Sequence, residues 1–257
     1  MDALKEMSGA FSELVYTQAG IGVPRQARER QRNGRTRWHE PVRYEAQTFW
    51  GHAPRYATTL EDAYRLRAGV FMGELGWLAP SADGRECDRC DPLAKHFVIF
   101  ARQPNVTATD EHAPALVGYA RVLLPRHGFM MEREFAELAT CLAPDSERAF
   151  EVSRFVVAPA YRGRRCLEGR TVVDHLARAI AGWALARGRT DWYTVCEARY
   201  LRALRLRGLR FTQLGHAVEY QPGVEACAAV LRLPVAAAQL RAHRAADYAW
   251  YARGGQL

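Results

Sequence analysis

The sequence FEVSRFVVAPAYRGRR, residues 150–165, decides the fold. Its apolar half predicts a central strand over residues 150–158, and its arginine- and glycine-containing half predicts a turn before a long helix over residues 167–187. Successive side chains of a regular strand point to opposite faces of the sheet, which would separate Glu151 from Arg154. We therefore expect a β-bulge or a splayed strand at this point.

Further strands and helices are expected on both sides of this stretch. Apolar runs predict strands over residues 96–102, 116–124, 191–196, 211–220 and 226–233. Helical spacing predicts helices over residues 59–72, 132–142, 199–207 and 235–251. Thr59 and Asp62 resemble a capping box for the first of these helices. The order indicates an α/β (α+β) fold in a single domain, with a mixed central sheet flanked by helices.

Composition indicates a globular protein of 257 residues, of which 49% are hydrophobic and 25% charged. No apolar run approaches the ~20 residues of a membrane span, and the N-terminus lacks a secretory signal. We therefore expect a cytoplasmic protein that has no membrane partner and whose six cysteines are mostly reduced. Cys87 and Cys90 have the spacing of zinc ligands, but no second ligand pair follows, so we expect no metal.

The net charge of +8 favours an acidic partner, because a basic protein attracts such a partner over long distances. Nucleic acid, the phosphates of coenzyme A and an acidic acyl carrier protein all meet that requirement. Residues 24–43 contain seven arginines and few aliphatic residues, so we expect residues 1–50 to form a basic, flexible extension. We favour a solvated extension over a nucleic-acid-binding module, whose salt-sensitive binding would be lost on deleting residues 1–50.

Two clusters of residues are suited to chemistry. The first contains Arg67 and Phe71, which lie on one face of the expected helix, and continues with Trp77, Asp88 and Asp91. Carboxylates complement a cation, arginine binds a carboxylate, and aromatic rings bind a flat heterocycle or a sulfonium. These residue types suit a small zwitterionic substrate that carries an additional positive charge. The same side chains would also serve as core aromatics and a structural ion network.

The second cluster consists of Glu151 and Arg154, with Arg121 on the preceding strand. A carboxylate among the apolar residues of a central strand is costly to bury unless it has a partner or a task. Glu151 and Arg154 are therefore candidate catalytic residues.

The basic turn after the central strand contains Arg162, Gly163, Arg164 and Arg165. Backbone N–H groups at a helix start, surrounded by arginines, suit the phosphate of a pantetheine cofactor or of a carrier-protein arm. The turn resembles the acyl-CoA-binding region of the Gcn5-related N-acetyltransferase superfamily. That superfamily's motif is Arg-x-x-Gly-x-Gly/Ala, and the single glycine of this turn favours a carrier-protein donor over coenzyme A.

Taken together, the clusters resemble the LuxI-type acyl-homoserine-lactone (autoinducer) synthases. The resemblance covers about residues 55–234, includes the segments RLRAGVF, ELGW, YARVLLP and EVSRFVV, and rests on Arg67, Phe71, Trp77, Asp88, Asp91, Arg121, Glu151 and Arg154. It implies a splayed sheet like that of the Gcn5-related N-acetyltransferases. It also implies S-adenosylmethionine as acyl acceptor, a thioester of acyl carrier protein or coenzyme A as donor, and no tightly bound cofactor.

The resemblance further implies a role for each charged residue. Glu151 would be the general base for the acceptor amine, with a pKa set by burial and by Arg154. Asp88 and Asp91 would organise the acceptor pocket, with Arg67 bracing them. Arg121 would be an ion-pair partner in the same pocket.

Aromatic and backbone groups complete the expected site. Phe71 and Trp77 would wall the acceptor pocket, and backbone N–H groups near Phe155 and Val156 would stabilise the oxyanion. Thr194 lies near the strand that the resemblance connects with acyl selection. Methylthioadenosine would leave in a second, ring-closing step.

We expect residues 51–234 to form the acyltransferase domain and residues 235–257 to form a peripheral C-terminal helix. The alternative function is that of an N-acyl amino acid synthase, or of another N-acyltransferase of related fold. Such an enzyme would acylate an amine without closing a lactone, and it would have less need for a loop carrying Asp88 and Asp91.

Overall fold

A mixed β-sheet lies at the centre of the structure, which is a computed structural model describing residues 42–102, 114–139, 146–206 and 208–253. Its strands are β1 (Arg43–Trp50), β2 (Lys95–Arg102), β3 (Ala115–Leu123), β4 (Ala149–Val157), β5 (Asp191–Glu197), β6 (Thr212–Gln213), β7 (Val218–Gln221) and β8 (Val224–Arg232). Their order is β1-β2-β3-β4-β5-β8-β6, and β7 also pairs with β8. The pair β4 and β5 is parallel, whereas the other pairs are antiparallel. The expected mixed α/β fold is confirmed.

Helices cover both faces of this sheet. They are α1 (Ala57–Ala68), which continues as a π-helical turn (Gly69–Glu74), α2 (Met130–Arg133), α3 (Val172–Leu185), α4 (Ala198–Leu206), α5 (Leu233–His243) and α6 (Ala245–Ala252). Side-chain alternation along β2 divides the core, because Phe97 and Ile99 pack in the cluster that contains α3 and Val98 packs in the cluster that contains α1. None of the described helices is long and apolar enough to cross a membrane.

A β-bulge interrupts β4 at Arg154, as expected from the Glu151 and Arg154 spacing. Tyr119 of β3 pairs with Val156 and Arg121 pairs with Ser153, so two residues of β4 lie opposite one residue of β3. Arg154 has a φ of 54°, a left-handed conformation that is uncommon for a residue other than glycine. The irregular backbone brings Glu151 and Arg154 to one site.

The neighbouring strands β4 and β5 separate immediately after Glu151. Their parallel pairing covers Ala149–Glu151 and Asp191–Tyr193. One residue farther along, the Thr194 hydroxyl donates a hydrogen bond to the Val152 carbonyl at 3.0 Å, and beyond it β5 pairs with β8 alone. The expected splay of the central sheet is therefore confirmed.

Two predicted helices differ from the structure. The helix expected over residues 132–142 is wrong: α2 ends at Arg133, Phe135 has a non-helical φ of −140°, and a short 3₁₀ turn covers Ala136–Leu138. Residues 140–145 lie outside the described residues. The helix expected from residue 167 begins at Val172, because the Asp174 carboxylate accepts from the Thr171 N–H at 2.8 Å and caps the helix there.

Other predicted boundaries also need correction. The strand expected over residues 211–220 is divided into β6 and β7. The capping box at Thr59 and Asp62 is wrong, since a 3₁₀ turn beginning at Pro54 leads directly into α1 and the helix starts at Ala57. The single C-terminal helix is wrong as well, because the chain turns at Arg244 and forms α5 and α6.

The extension expected over residues 1–50 includes part of the sheet. Residues 43–50 form β1, which pairs along its whole length with β2 and buries Tyr44 and Phe49. The arginine-rich composition of the preceding residues concealed this strand. Residues 1–41 lie outside the described part of the chain.

Candidate active site

Buried arginines and carboxylates form the centre of the candidate site. Arg67 of α1 is completely buried. Its Nε donates to Glu86 Oε2 at 2.5 Å, and its Nη1 donates to Asp91 Oδ1 at 2.7 Å. Arg67 therefore fixes two points of the acidic loop that leads from α1 to β2.

Arg121 of β3 approaches the same loop from the sheet. Its Nη1 donates to Asp88 Oδ1 at 2.6 Å and to Asp91 Oδ1 at 2.7 Å, and its Nη2 donates to Asp88 Oδ2 at 2.8 Å. Its Nε donates to Ser153 Oγ at 3.0 Å. The side chain of Arg121, which lies on β3, thus connects the acidic loop to β4.

Arg154 completes the network from the bulge. Its Nε lies 3.0 Å from Glu86 Oε2, and its Nη2 donates to Asp88 Oδ2 at 3.1 Å. The Arg154 side chain is 17% exposed, whereas those of Arg67 and Arg121 are fully buried. Arg154 is therefore the arginine of this network that a ligand can reach.

The network is electrically balanced, with three guanidinium groups facing the carboxylates of Glu86, Asp88 and Asp91. Burial alone would raise the pKa of Asp88, but Arg121 and then Arg154 outweigh it and hold that pKa well below its usual range. Burial also acts to raise the pKa of Asp91, and Arg67 and Arg121 together lower it. Both groups stay ionised near neutral pH, as a buried ion network requires.

A neutral histidine supports the backbone of the acidic loop. Burial lowers the pKa of His96 to about 4. Its Nε2 lies 2.9 Å from the Asp91 carbonyl, so this nitrogen must carry the proton. Its Nδ1 then accepts from the Tyr119 hydroxyl at 2.7 Å, and that hydroxyl accepts from Arg67 Nη1 at 3.3 Å.

Gly51 permits this arrangement. A Cβ at this position would lie 2.0 Å from the Asp91 carbonyl oxygen and 2.8 Å from His96 Nε2. Any other residue would displace the loop that carries Asp91.

Glu151 lies in the sheet with 1% of its surface exposed. The backbone N–H groups of Met130 and Met131, in the first turn of α2, donate to its two carboxylate oxygens at 2.6 and 3.1 Å. Burial raises the pKa of Glu151 to about 7, although both amides and Arg121 act in the opposite direction. A carboxylate with a pKa near 7 is suited to general base catalysis at physiological pH.

A cavity of about 550 Å³ passes through the gap between β4 and β5. It is lined by residues of both separated strands, among them Glu151 and Thr194, and by residues of both helical layers. On the α1 side Phe71 and Trp77 stack with ring centroids 6.0 Å apart, and Arg154 Cζ lies 5.6 Å from the Phe71 ring. The cavity therefore joins a charged and aromatic region to an apolar interior.

The structure brings most of the predicted site residues together. Arg67, Asp88, Asp91, Arg121 and Arg154 form the ion network. The cavity is lined by Phe71, Trp77, Glu151, Arg154, Phe155, Val156, Arg162 and Thr194.

The predicted donor arginines divide into two groups. Arg162 lines the cavity, where it pairs with Glu74 and donates to the Val157 carbonyl at 3.2 Å. Arg164 and Arg165 are not among the residues that line the cavity; Arg164 stacks on Tyr161, and Arg165 donates to the Gly169 carbonyl.

Sequence reasoning assigned no role to several residues of the site. Glu86 is the main omission, and charge counting provides the signal for it, because three arginines against Asp88 and Asp91 leave one positive charge unbalanced. The amides of Met130 and Met131 could not be identified, since their contact with Glu151 depends on where α2 begins in the folded chain.

Known proteins resemble this chain in sequence. The model of a family described as autoinducer synthase matches residues 51–242. The acyl-homoserine-lactone synthase of Rhizobium radiobacter is 32% identical over 165 residues, which are 62% of this chain and 72% of that protein. The acyl-homoserine-lactone synthase of Ralstonia nicotianae is 28% identical over 66% of this chain and 80% of that protein.

Solved structures share the fold. The CoA-dependent acyl-homoserine lactone synthase BjaI superimposes with a TM-score of 0.61 at 20% identity, over 77% of this chain and 89% of that chain. The acyl-homoserine-lactone synthase LasI superimposes with a TM-score of 0.59 at 20% identity, over 76% and 91% of the two chains.

The ion network makes a prediction for stability. Asp91→Asn removes a carboxylate from two buried guanidiniums and is expected to lower the free energy of unfolding by about 3–5 kcal/mol. Because the pKa of Asp91 is lowered by folding, its contribution is present above the unfolded pKa and is lost only as the pH falls through the folded pKa. The deficit measured by denaturant unfolding should therefore be constant between about pH 5 and about pH 8.

Asp83→Asn is the matched control, because Asp83 lies in the same loop with a mostly exposed side chain. It should change the free energy of unfolding by less than about 0.5 kcal/mol. Equal effects of the two substitutions would contradict a structural role for the network.

Proposed function

We propose that this chain, which belongs to the autoinducer synthase family and is an acyl-homoserine-lactone synthase, acylates the α-amine of S-adenosylmethionine and then closes the product to a lactone. The observation that carries the proposal is Glu151, a buried carboxylate with a pKa near 7 in the wall of a cavity between two separated strands. BjaI has been solved with SAM and isopentyl-CoA, and we assign SAM as the acceptor and an acyl thioester as the donor of this chain.

We assign the acceptor to the α1 side of the cavity. Phe71 and Trp77 present stacked aromatic faces that suit an adenine ring or a sulfonium. Glu86, Asp88 and Asp91 already have guanidinium partners, so they organise the pocket rather than bind the sulfonium directly. Arg154 is the group that reaches the cavity from the network, and it would bind the substrate carboxylate.

We assign the donor to the gap between β4 and β5. Its pantetheine arm would lie between the separated strands, with the phosphate near Arg162, Gly163 and the start of α3, which all line the cavity. The acyl chain would occupy the apolar interior near Trp192 and Phe211. Thr194 would shape the entrance to that interior, since its hydroxyl is bonded to β4.

Glu151 would act as the general base in the first step. It accepts a proton from the acceptor amine, whose nitrogen forms a bond to the thioester carbonyl carbon, and the donor thiolate then leaves. We assign stabilisation of the oxyanion to backbone N–H groups at Phe155 and Val156, which border the bulge and line the cavity. The β-bulge would thus contribute to catalysis as well as to the shape of the site.

The second step requires little further chemistry from the protein. A carboxylate oxygen of the substrate forms a bond to its own γ-carbon, and the bond between that carbon and sulfur breaks to release methylthioadenosine. The site has only to hold the substrate in a folded conformation, which Arg154 and the aromatic wall would do.

We further propose an acyl carrier protein as the donor and the cytoplasm as the location. The net charge of +8 would attract an acidic carrier protein. The turn at 162–165 has a single glycine, whereas the coenzyme A motif has two small residues. Arg164 and Arg165, which are not among the cavity-lining residues, are suited to contact the carrier surface.

The proposed reaction predicts a specific pair of products. Purified full-length protein is incubated with S-adenosylmethionine and a panel of acyl-carrier-protein and acyl-coenzyme A thioesters, and products are identified by mass spectrometry. We expect an acyl-homoserine lactone together with methylthioadenosine, and a lower KM for the carrier-protein thioester. An acylated amino acid formed without methylthioadenosine would contradict the proposal and support an N-acyl amino acid synthase.

The role of Glu151 predicts a pH dependence. The base acts as the carboxylate, so kcat should rise as the pH increases through about 7. Glu151→Gln should lower kcat by about 10²–10⁴-fold and remove this pH dependence, while the KM for the thioester changes little. Glu134→Gln, which alters a surface partner of Arg89, is the control and should retain the wild-type profile. Wild-type turnover in Glu151→Gln would exclude Glu151 as the base.

A further inference from the structure

We infer that α6 is a positioning element for the donor site, acting through the segment of residues 162–171 that joins β4 to α3; this inference rests on the proposed function. The segment contains Arg162 and Gly163 at one end and Thr171 at the other, and all three line the cavity. Its position therefore determines the shape of the cavity at the end that we assign to the donor phosphate.

Two side chains of α6 hold this segment. Trp250 Nε1 donates to Glu168 Oε2 at 2.8 Å, and Arg170 Nη1 donates to Asp247 Oδ1 at 2.6 Å. Asp247 also lies 3.4 Å from Arg244 Nη1, at the turn between α5 and α6. Glu168 and Arg170, which are two residues apart in the segment, are thus both bonded to α6.

Trp250 connects the segment to α3 as well. Its ring is 4% exposed and makes an edge contact with His175 of α3 at a centroid distance of 5.2 Å. Arg170 Cζ and Arg178 Cζ lie 4.9 and 4.4 Å from the centre of the same ring. Cation–π contacts of this kind become stronger when the ring is buried.

The opposite side of the segment is held by β1 and the residue before it. The Leu167 N–H donates to the Val42 carbonyl at 3.1 Å, and the Tyr44 hydroxyl donates to the Arg164 carbonyl at 3.2 Å. Both β1 and α6 lie outside residues 51–242, the stretch that the family model matches. The contacts that hold the segment therefore include two elements outside the matched stretch.

The acceptor region does not depend on these contacts. Arg67, Asp88, Asp91 and Arg121 are joined to one another and to β3 and β4, and none of their hydrogen bonds among the described residues involves α6. Displacing α6 should consequently weaken donor binding and leave acceptor binding unchanged. A general loss of structure would affect both substrates.

The experiment compares full-length variants of α6. Trp250→Phe retains an aromatic ring but removes the donor to Glu168, and Asp247→Asn removes the charge that pairs with Arg170. Trp250→Phe loses a hydrogen bond to a carboxylate and Asp247→Asn loses an ion pair, so the KM for the acyl thioester should rise about tenfold in each. The KM for S-adenosylmethionine and kcat at saturating donor should remain within about twofold.

Conservative and surface variants provide the controls. Asp247→Glu retains the carboxylate and should restore most of the donor affinity, whereas Arg241→Gln, an exposed change on α5, should have no effect. Hydrogen exchange in the absence of substrates should be faster at residues 162–171 in Trp250→Phe and unchanged at residues 86–91.

Three results would overturn the inference. They are unchanged donor KM in both variants, equal changes in the KM of donor and acceptor, and unchanged exchange at residues 162–171. Failure of the proposed function is distinguishable, because the wild-type protein itself would then yield no lactone with any thioester. In that event the exchange measurement still decides whether α6 holds the segment.

Discussion

Charge balance in the buried ion network is the constraint on which the site depends. Arg67, Arg121 and Arg154 come from a helix, a central strand and a bulge, and each binds carboxylates of the same loop. Removing any one group would leave one buried charge of the network unbalanced, which costs several kcal/mol. The loop, the helix and the sheet are therefore held in one arrangement, and the aromatic wall of Phe71 and Trp77 is fixed with them.

The bulge at Arg154 links this network to the cavity. It turns Arg154 toward Glu86 and Asp88, and just beside it β4 and β5 separate after Glu151. One irregularity thus brings a partly exposed guanidinium, a buried carboxylate and an open strand edge to the same place. A regular strand would put Glu151 and Arg154 on opposite faces of the sheet.

Much of this could be predicted from the sequence, because residue type and spacing report local structure and charge. The central strands and the bulge follow from such patterns, and the family resemblance indicated Arg67, Arg121 and Arg154 together with Asp88 and Asp91. Other features depend on tertiary contacts: β1 lies beside an arginine-rich stretch, and the amides that bind Glu151 depend on α2 beginning at Met130. Glu86 was not predicted, although a count of the charges in the network would have indicated that a third carboxylate is needed.

We propose above all that the ion network organises an acceptor pocket within reach of Glu151. A crystal structure of the protein with S-adenosylmethionine tests it most directly. We expect the sulfonium and adenine against Phe71 and Trp77, the carboxylate on Arg154, and the amine within hydrogen-bonding distance of Glu151, directly or through one water. A ligand bound in another part of the cavity, with its amine remote from Glu151, would contradict this role of the network.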